Sequence, residues 1–158
     1  MRELILLRHA HAEPAAAGQA DFDRPLSAQG LAEAEAAGRW LAAQGLVPDR
    51  VLCSPARRSR ESLEAVLQAI GYVEQRLEAD IYEATAGSLA ALADANREAE
   101  RLLIVGHNPG LEHLAALMHS GQTGDYRGMP TSSVVVLKLP VDASIEPGIA
   151  TLSAFWWP

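Results

Sequence analysis

The side chains with the greatest chemical reach lie in three short segments. Arg8 and His9 stand in LILLRHAHAEP, Arg57 and Arg58 in SPARRSRES, and His107 and Asn108 in IVGHNPG. A guanidinium group presents a planar fork of N–H donors that matches the oxygens of a phosphate. A neutral imidazole can attack phosphorus in line, provided its proton sits on the other ring nitrogen, held by a nearby backbone carbonyl. Two imidazoles with two or three guanidiniums would therefore make a centre for phosphoryl transfer. They can act together only if the fold brings the three segments to one place.

The elements that would do so are legible in the apolar pattern. LILL at 4–7, RVLCS at 50–54 and RLLIVG at 101–106 lack alternation and are bounded by charge or glycine, which predicts strands buried on both faces. Helical patterns lie between them. In SAQGLAEAEAAGRWLAAQG, Ser27 can cap the start, Leu31, Ala34, Gly38 and Leu41 share one face, and Gly45 can close the end. SPARRSRESLEAVLQAIG offers Ser54 as N-cap, Pro55 at the first helical position and Gly71 past the end. HNPGLEHLAALMH repeats the device with Asn108 as cap and Pro109 first, and a weaker helix is predicted from Ser88 to about Glu98. Strands alternating with helices imply a parallel sheet covered on both faces, with right-handed crossovers. TSSVVVLKL and GIATLSAFW, joined by PVDASIEP, read as an antiparallel hairpin on or near the sheet edge. The expected fold is α/β: a three-layer α/β/α sandwich with a mostly parallel central sheet and a C-terminal antiparallel hairpin, in a single domain over 1–158. The glycine-rich stretch 120–130 is the candidate for a loop over a site.

In an open parallel sheet, ligands bind beyond the carboxyl ends of the strands, near the point where strand order reverses. The first strand delivers Arg8 and His9 there, the second Ser54 and then Arg57 and Arg58, and the third His107 and Asn108. Such a concentration of positive character in a chain of formal net charge -7 needs an anionic ligand to justify it. Phosphate is the natural one, and the helix starts at Pro55 and Pro109 could add backbone N–H groups.

LRHAHAEP, SPARRSRES and IVGHNPG resemble the signature segments of the histidine phosphatase superfamily, also called phosphoglycerate mutase-like, and within it the short SixA-type phosphohistidine phosphatase branch. DFDRPLSAQG, IYEA and MPTSSVVVL fall in the same order, so the resemblance spans essentially the whole chain. It implies that His9 is the nucleophile of a hydrolysis without metal or cofactor, passing through a covalent phosphohistidine. It further implies that Arg8, Arg58 and His107 form the phosphate pocket. Arg24 in DRPLS is similar to an arginine near the phosphate in this branch. Arg57 and Asn108 are further candidates for substrate contact, and the adjacent arginines leave open which of Arg57 and Arg58 faces inward. The leading triplet ends in Ala10 where glycine is common, and His11 occupies a position of variable type. Larger members place a glutamate between the second arginine and the second histidine; Glu83 in IYEATAG is the candidate leaving-group acid, equally readable as surface charge. Phosphohistidine leaves more readily than an alkoxide and can do without such an acid. The expected substrate is a phosphohistidine, favoured on a phosphorylated protein, with a small phosphorylated metabolite as the alternative.

Composition bounds these readings. A chain of 158 residues, 49% hydrophobic and 21% charged, fits one soluble globular domain. The net charge of -7 disfavours a general affinity for nucleic acid or an anionic membrane. Cys53 is the sole cysteine, so no intrachain disulfide is possible, and it reads as a buried small hydrophobe. The apolar run before Arg8 is too short for a signal peptide or for a span of roughly 20 residues, and the expected location is cytoplasmic. A metallohydrolase built on His9, His11 and His107 is a rival, though no carboxylate or cysteine at ligand spacing supports it. A non-catalytic phosphoprotein-binding module is another. His113 and His119 read as incidental, Arg60 as structural, and Asp21 and Asp23 as loop and turn residues.

Overall fold

Leu4 to Leu7 are apolar without alternation because their strand, β1 (Arg2–Arg8), lies inside a sheet and is covered on both sides. The computed structural model describes residues 2–123 and 128–158. The chain continues through α1 (Ala28–Ala43), β2 (Arg50–Cys53), α2 (Arg57–Ile70), β3 (Gln75–Leu77), α3 (Ala86–Ala95), β4 (Arg101–Gly106), α4 (Gly110–Ser120), β5 (Val134–Leu139) and β6 (Thr151–Trp156). Short 3-10 turns occupy Asp21–Asp23 and Ala79–Ile81. The six strands are ordered β3-β2-β4-β1-β5-β6. The first four run parallel, while β5 is antiparallel to β1 and β6 to β5, which is the C-terminal hairpin at the sheet edge.

Alternate strand residues face opposite helix layers. Ile5, Leu7, Val51, Leu103 and Val105 pack with Ala37 and Leu41 of α1 and Leu63 and Val66 of α2. Leu4, Leu6, Leu52, Leu102 and Ile104 pack with Leu89 of α3 and Leu111, Leu114 and Met118 of α4. Cys53 is fully buried on the α1–α2 side, where desolvation pushes its thiol up to about 12. The register pairs Arg8 with Gly106 and Cys53 with Val105, so β1, β2 and β4 end at one level.

Several local expectations change. Ser54 does not cap α2: that helix begins at Arg57 with Ala56 as its N-cap, and the Ser54 hydroxyl turns instead to His107 at 2.7 Å. Asn108 is not the cap of α4 either; Pro109 holds that place and the Asn108 amide donates to the Met129 carbonyl. Accordingly, neither helix starts at its proline. α3 runs from Ala86 to Ala95, starting two residues before Ser88 because Thr85 is its N-cap and closes a reciprocal capping box with Ser88. Leu31 is exposed, and the buried face of α1 is Gly30, Ala34, Ala37, Gly38 and Leu41. β3, three exposed residues beside β2, has no apolar pattern to announce it. Of the stretch 120–130, residues 124–127 lie outside the described residues.

α1 is fastened to the segment after β1. Ser27 Oγ accepts from Gly30 N at 3.0 Å and donates to the His11 carbonyl at 3.2 Å. A Cβ on Gly30 would lie 1.9 Å from that carbonyl oxygen. Gly30→Ala should therefore destabilise the protein by roughly 1–3 kcal/mol, the usual cost of a forced backbone or packing shift. Denaturant unfolding with an unchanged m-value checks this.

Candidate functional site

The level strand ends bring the first and third segments into contact. His9 N donates to the Gly106 carbonyl at 3.0 Å, so the imidazole leaves β1 directly beside His107, with ring centroids 5.1 Å apart. His9 Nδ1 lies 2.8 Å from the Ala10 carbonyl oxygen. A carbonyl only accepts, so the proton sits on Nδ1 and the Nε2 lone pair is free. Burial is the main reason the His9 pKa falls to about 3, with the charges of His107, Arg58 and Arg8 adding to it against the pull of the Ala10 carbonyl. Burial, then Arg58, likewise lowers His107 to about 4. Both rings are neutral near pH 7.

Ala10 is itself fixed. Its N–H donates to Ser62 Oγ at 2.9 Å, and that hydroxyl donates to the Arg58 carbonyl at 2.7 Å. The Ala10 methyl is fully buried against Ala34 and Ala65, so a residue larger than glycine fits the triplet.

Arg58 is buried at 7% exposure and Arg57 is exposed, paired with Glu61 at 3.2 Å. Of the two arginines, Arg58 is the one in the cluster. Its Nη1 donates to the Asp21 carbonyl at 2.9 Å and its Nη2 to Asp21 Oδ2 at 3.1 Å. Arg8 donates to the Met129 carbonyl at 2.9 Å, the acceptor that also takes the Asn108 amide at 2.8 Å. Arg24 stands at the rim, donating to Asp21 Oδ1 at 3.0 Å and to the Glu13 carbonyl at 2.8 Å. Glu83 is exposed and makes none of the contacts that join the cluster; its neighbour Tyr82 does. The Tyr82 hydroxyl donates to Asp21 Oδ2 at 2.5 Å, its ring meets that of His107 edge-on at 5.5 Å, and the Arg58 guanidinium carbon lies 5.9 Å from its centre. The Tyr82 hydroxyl bond, then Arg24, holds the Asp21 carboxyl well below the usual range, and the same bond raises Tyr82.

Three polar atoms on this cluster, Arg8 Nε, Arg58 Nε and His107 Nδ1, are buried without a hydrogen-bond partner among the described residues. Buried polar atoms are rarely left so, and these three belong to the residues gathered near the His9 ring, which makes the cluster a candidate place for an anion. His11 is exposed, with Nδ1 on Ser27 Oγ at 2.7 Å, and among the described residues no group of three His, Cys, Asp or Glu is arranged to hold a metal ion.

The sequence pattern of the histidine phosphatase superfamily (branch 1) matches residues 4–107. The chain belongs to the histidine phosphatase superfamily. An uncharacterized protein of Mycobacterium tuberculosis is 36% identical over 153 residues, covering 89% of this chain and 93% of the relative. A crystal structure assigned as the phosphohistidine phosphatase SixA of Agrobacterium tumefaciens is 32% identical, with a TM-score of 0.86 over 99% of this chain and 98% of that one. Another assigned as SixA, from Nakamurella multipartitia, is 28% identical with a TM-score of 0.85, over 99% and 96%. These likenesses support a phosphatase.

Within the histidine phosphatase frame, sequence reasoning missed Asp21, Tyr82 and Ser62. Tyr82 directly precedes the glutamate that had been singled out, and the spacing of Asp21 from Arg24 was the available signal for an ion pair.

Neutral burial of the two histidines has a consequence for stability. In the unfolded chain histidine titrates near 6.5, while the folded values are about 3 and about 4. Between these limits the unfolded state binds more protons, so stability falls as pH drops from about 6.5 towards about 4. His107→Asn should show a shallower loss of unfolding free energy between about pH 7 and about pH 5 than the wild type, measured by denaturant titration.

Proposed function

We propose that this histidine phosphatase hydrolyses phosphohistidine on a protein partner through a covalent intermediate at His9. The observation that carries the reading is a neutral His9, its proton held by Ala10 and its Nε2 lone pair free, in one cluster with Arg8 Nε, Arg58 Nε and His107 Nδ1, which are buried without a partner among the described residues. In the first step the Nε2 lone pair attacks phosphorus, the substrate's P–N bond breaks, and the departing imidazole keeps the electron pair and is protonated by solvent water. In the second, water attacks the phosphorus on His9 and releases inorganic phosphate with the imidazole restored. Arg8 and Arg58 offer Nε–H groups to the equatorial oxygens. A Ser54 hydroxyl that donates to His107 Nε2 leaves the His107 proton on Nδ1, the unpartnered nitrogen, as a third donor. Arg24 borders the pocket and Asn108 anchors the Met129 carbonyl beside Arg8. No step uses a metal, and none uses Glu83. The similarity to structures assigned as SixA supports phosphohistidine as the substrate.

His9→Ala should lower kcat/KM by roughly 10³-fold or more, as expected when a nucleophile is removed. Phosphate release is measured from a histidine-phosphorylated protein, from p-nitrophenyl phosphate and from sugar phosphates. Full activity of the variant would sink the mechanism, and a preference for sugar phosphates would move the substrate to a metabolite. Activity should survive a chelator.

The two adjacent arginines should separate cleanly. Arg58→Ala should cost about 10²–10³-fold in kcat/KM, in the range of a lost oxyanion donor, whereas Arg57→Ala should stay within a few fold. The same assays check it.

A further inference from the structure

Arg58 carries five N–H donors. Asp21 takes two of them, both on the end edge of the guanidinium: its main-chain oxygen accepts from Nη1 at 2.9 Å and its Oδ2 from Nη2 at 3.1 Å. The side edge, made by Nε–H and the second hydrogen of Nη2, is left over, and Nε is buried with no partner among the described residues. The carboxylate therefore occupies the half of the fork that would not be needed for a second bidentate anion. It comes from an exposed 3-10 turn and not from the sheet or the helix that carries Arg58. The same Oδ2 also receives the Tyr82 hydroxyl at 2.5 Å, and the Tyr82 ring abuts His107. One surface carboxylate thus ties two of the proposed phosphate-binding groups to a common point.

We infer that Asp21 is a positioning residue for the phosphate site, turning the side edge of Arg58 toward the anion and, through Tyr82, backing the ring of His107. The inference rests on Arg58 as a phosphate ligand. A carboxylate that competed with phosphate for Arg58 would sit on the edge bearing Nε; Asp21 leaves that edge open. Arg24 holds Oδ1 at 3.0 Å and so keeps the carboxylate from rotating away.

A double-mutant cycle tests this on the whole protein: wild type, Asp21→Ala, Arg58→Ala and the double variant. Two readouts are taken, the affinity for tungstate and inorganic phosphate by calorimetry, and kcat and KM on p-nitrophenyl phosphate. Asp21→Ala should weaken anion binding and kcat/KM by roughly 10- to 100-fold in the wild-type background, as for a misplaced binding group. It should change them by less than about 3-fold once Arg58 is gone, because coupled residues are non-additive. Asp21→Asn, whose amide oxygen still accepts from Arg58, should recover part of the loss. Tighter anion binding in Asp21→Ala would show a competing carboxylate and overturn the inference. Equal losses in both Arg58 backgrounds would show a general structural role and overturn it too, and Asp21→Asn guards against a variant that fails to fold. If His9→Ala remains active while the cycle is non-additive, the covalent mechanism falls and the positioning role of Asp21 stands.

Discussion

The hydrogen bond from His9 Nδ1 to the carbonyl of the next residue is the contact on which the site depends. It is a bond between near neighbours at 2.8 Å, so its geometry is set by the backbone at Ala10 and by little else. That backbone is in turn fixed through Ser62, which accepts from Ala10 N and donates to the carbonyl of Arg58 one turn earlier in α2. The tautomer of the imidazole and the start of the helix bearing Arg58 are thereby one hydrogen-bonded unit. Ser62 is buried at 1% exposure, which strengthens both bonds and makes either, left unmade, costly.

Electrostatics then explain why the cluster is built from neutral imidazoles. Arg8 and Arg58 bring two guanidinium groups to the cluster. A protonated histidine between them would add a third cation in a desolvated place, and the fold avoids this by keeping both rings neutral. Neutrality is also what the proposed attack by His9 needs, so the repulsion that threatens stability and the proposed chemistry favour the same protonation state. A chain that is acidic overall carries this locally positive pocket because Asp21 and Glu112 lie within electrostatic reach of the arginines.

The parts that were legible in the sequence are those enforced by the core. β1, β2 and β4 are buried on both faces and had to be unbroken apolar runs, and residues that follow such strands emerge at one edge whatever the loops do. That is why Arg8, His9, Arg58 and His107 could be named together. Ser54 and Asn108 have the side chains a cap requires, but a nearby ring nitrogen and the Met129 carbonyl claim them. β3 is three exposed residues held by pairing with β2 alone. Asp21 and Tyr82 are 61 positions apart in exposed segments, where neither periodicity nor local spacing records a contact.

Why Tyr82 and not Glu83 joins the cluster follows from how tightly its turn is seated. Gly106 and Gly110 flank His107, and a Cβ at the first would lie 2.8 Å from Ile81 Cγ2, at the second 2.6 Å from the Ala84 carbonyl oxygen. The glycines let the segment from Ile81 to Ala84 close directly onto the end of β4 and the start of α4. Ile81 is pinned in the core at 1% exposure, and the residue after it is directed across the His107 ring while the next emerges to solvent. With its hydroxyl bonded to an ionised Asp21, Tyr82 holds its proton more firmly than a free tyrosine, so the side chain this turn sets against the His107 ring is a poor acid. A site arranged this way suits a leaving group that departs without a strong donor, and the imidazole of phosphohistidine is such a group.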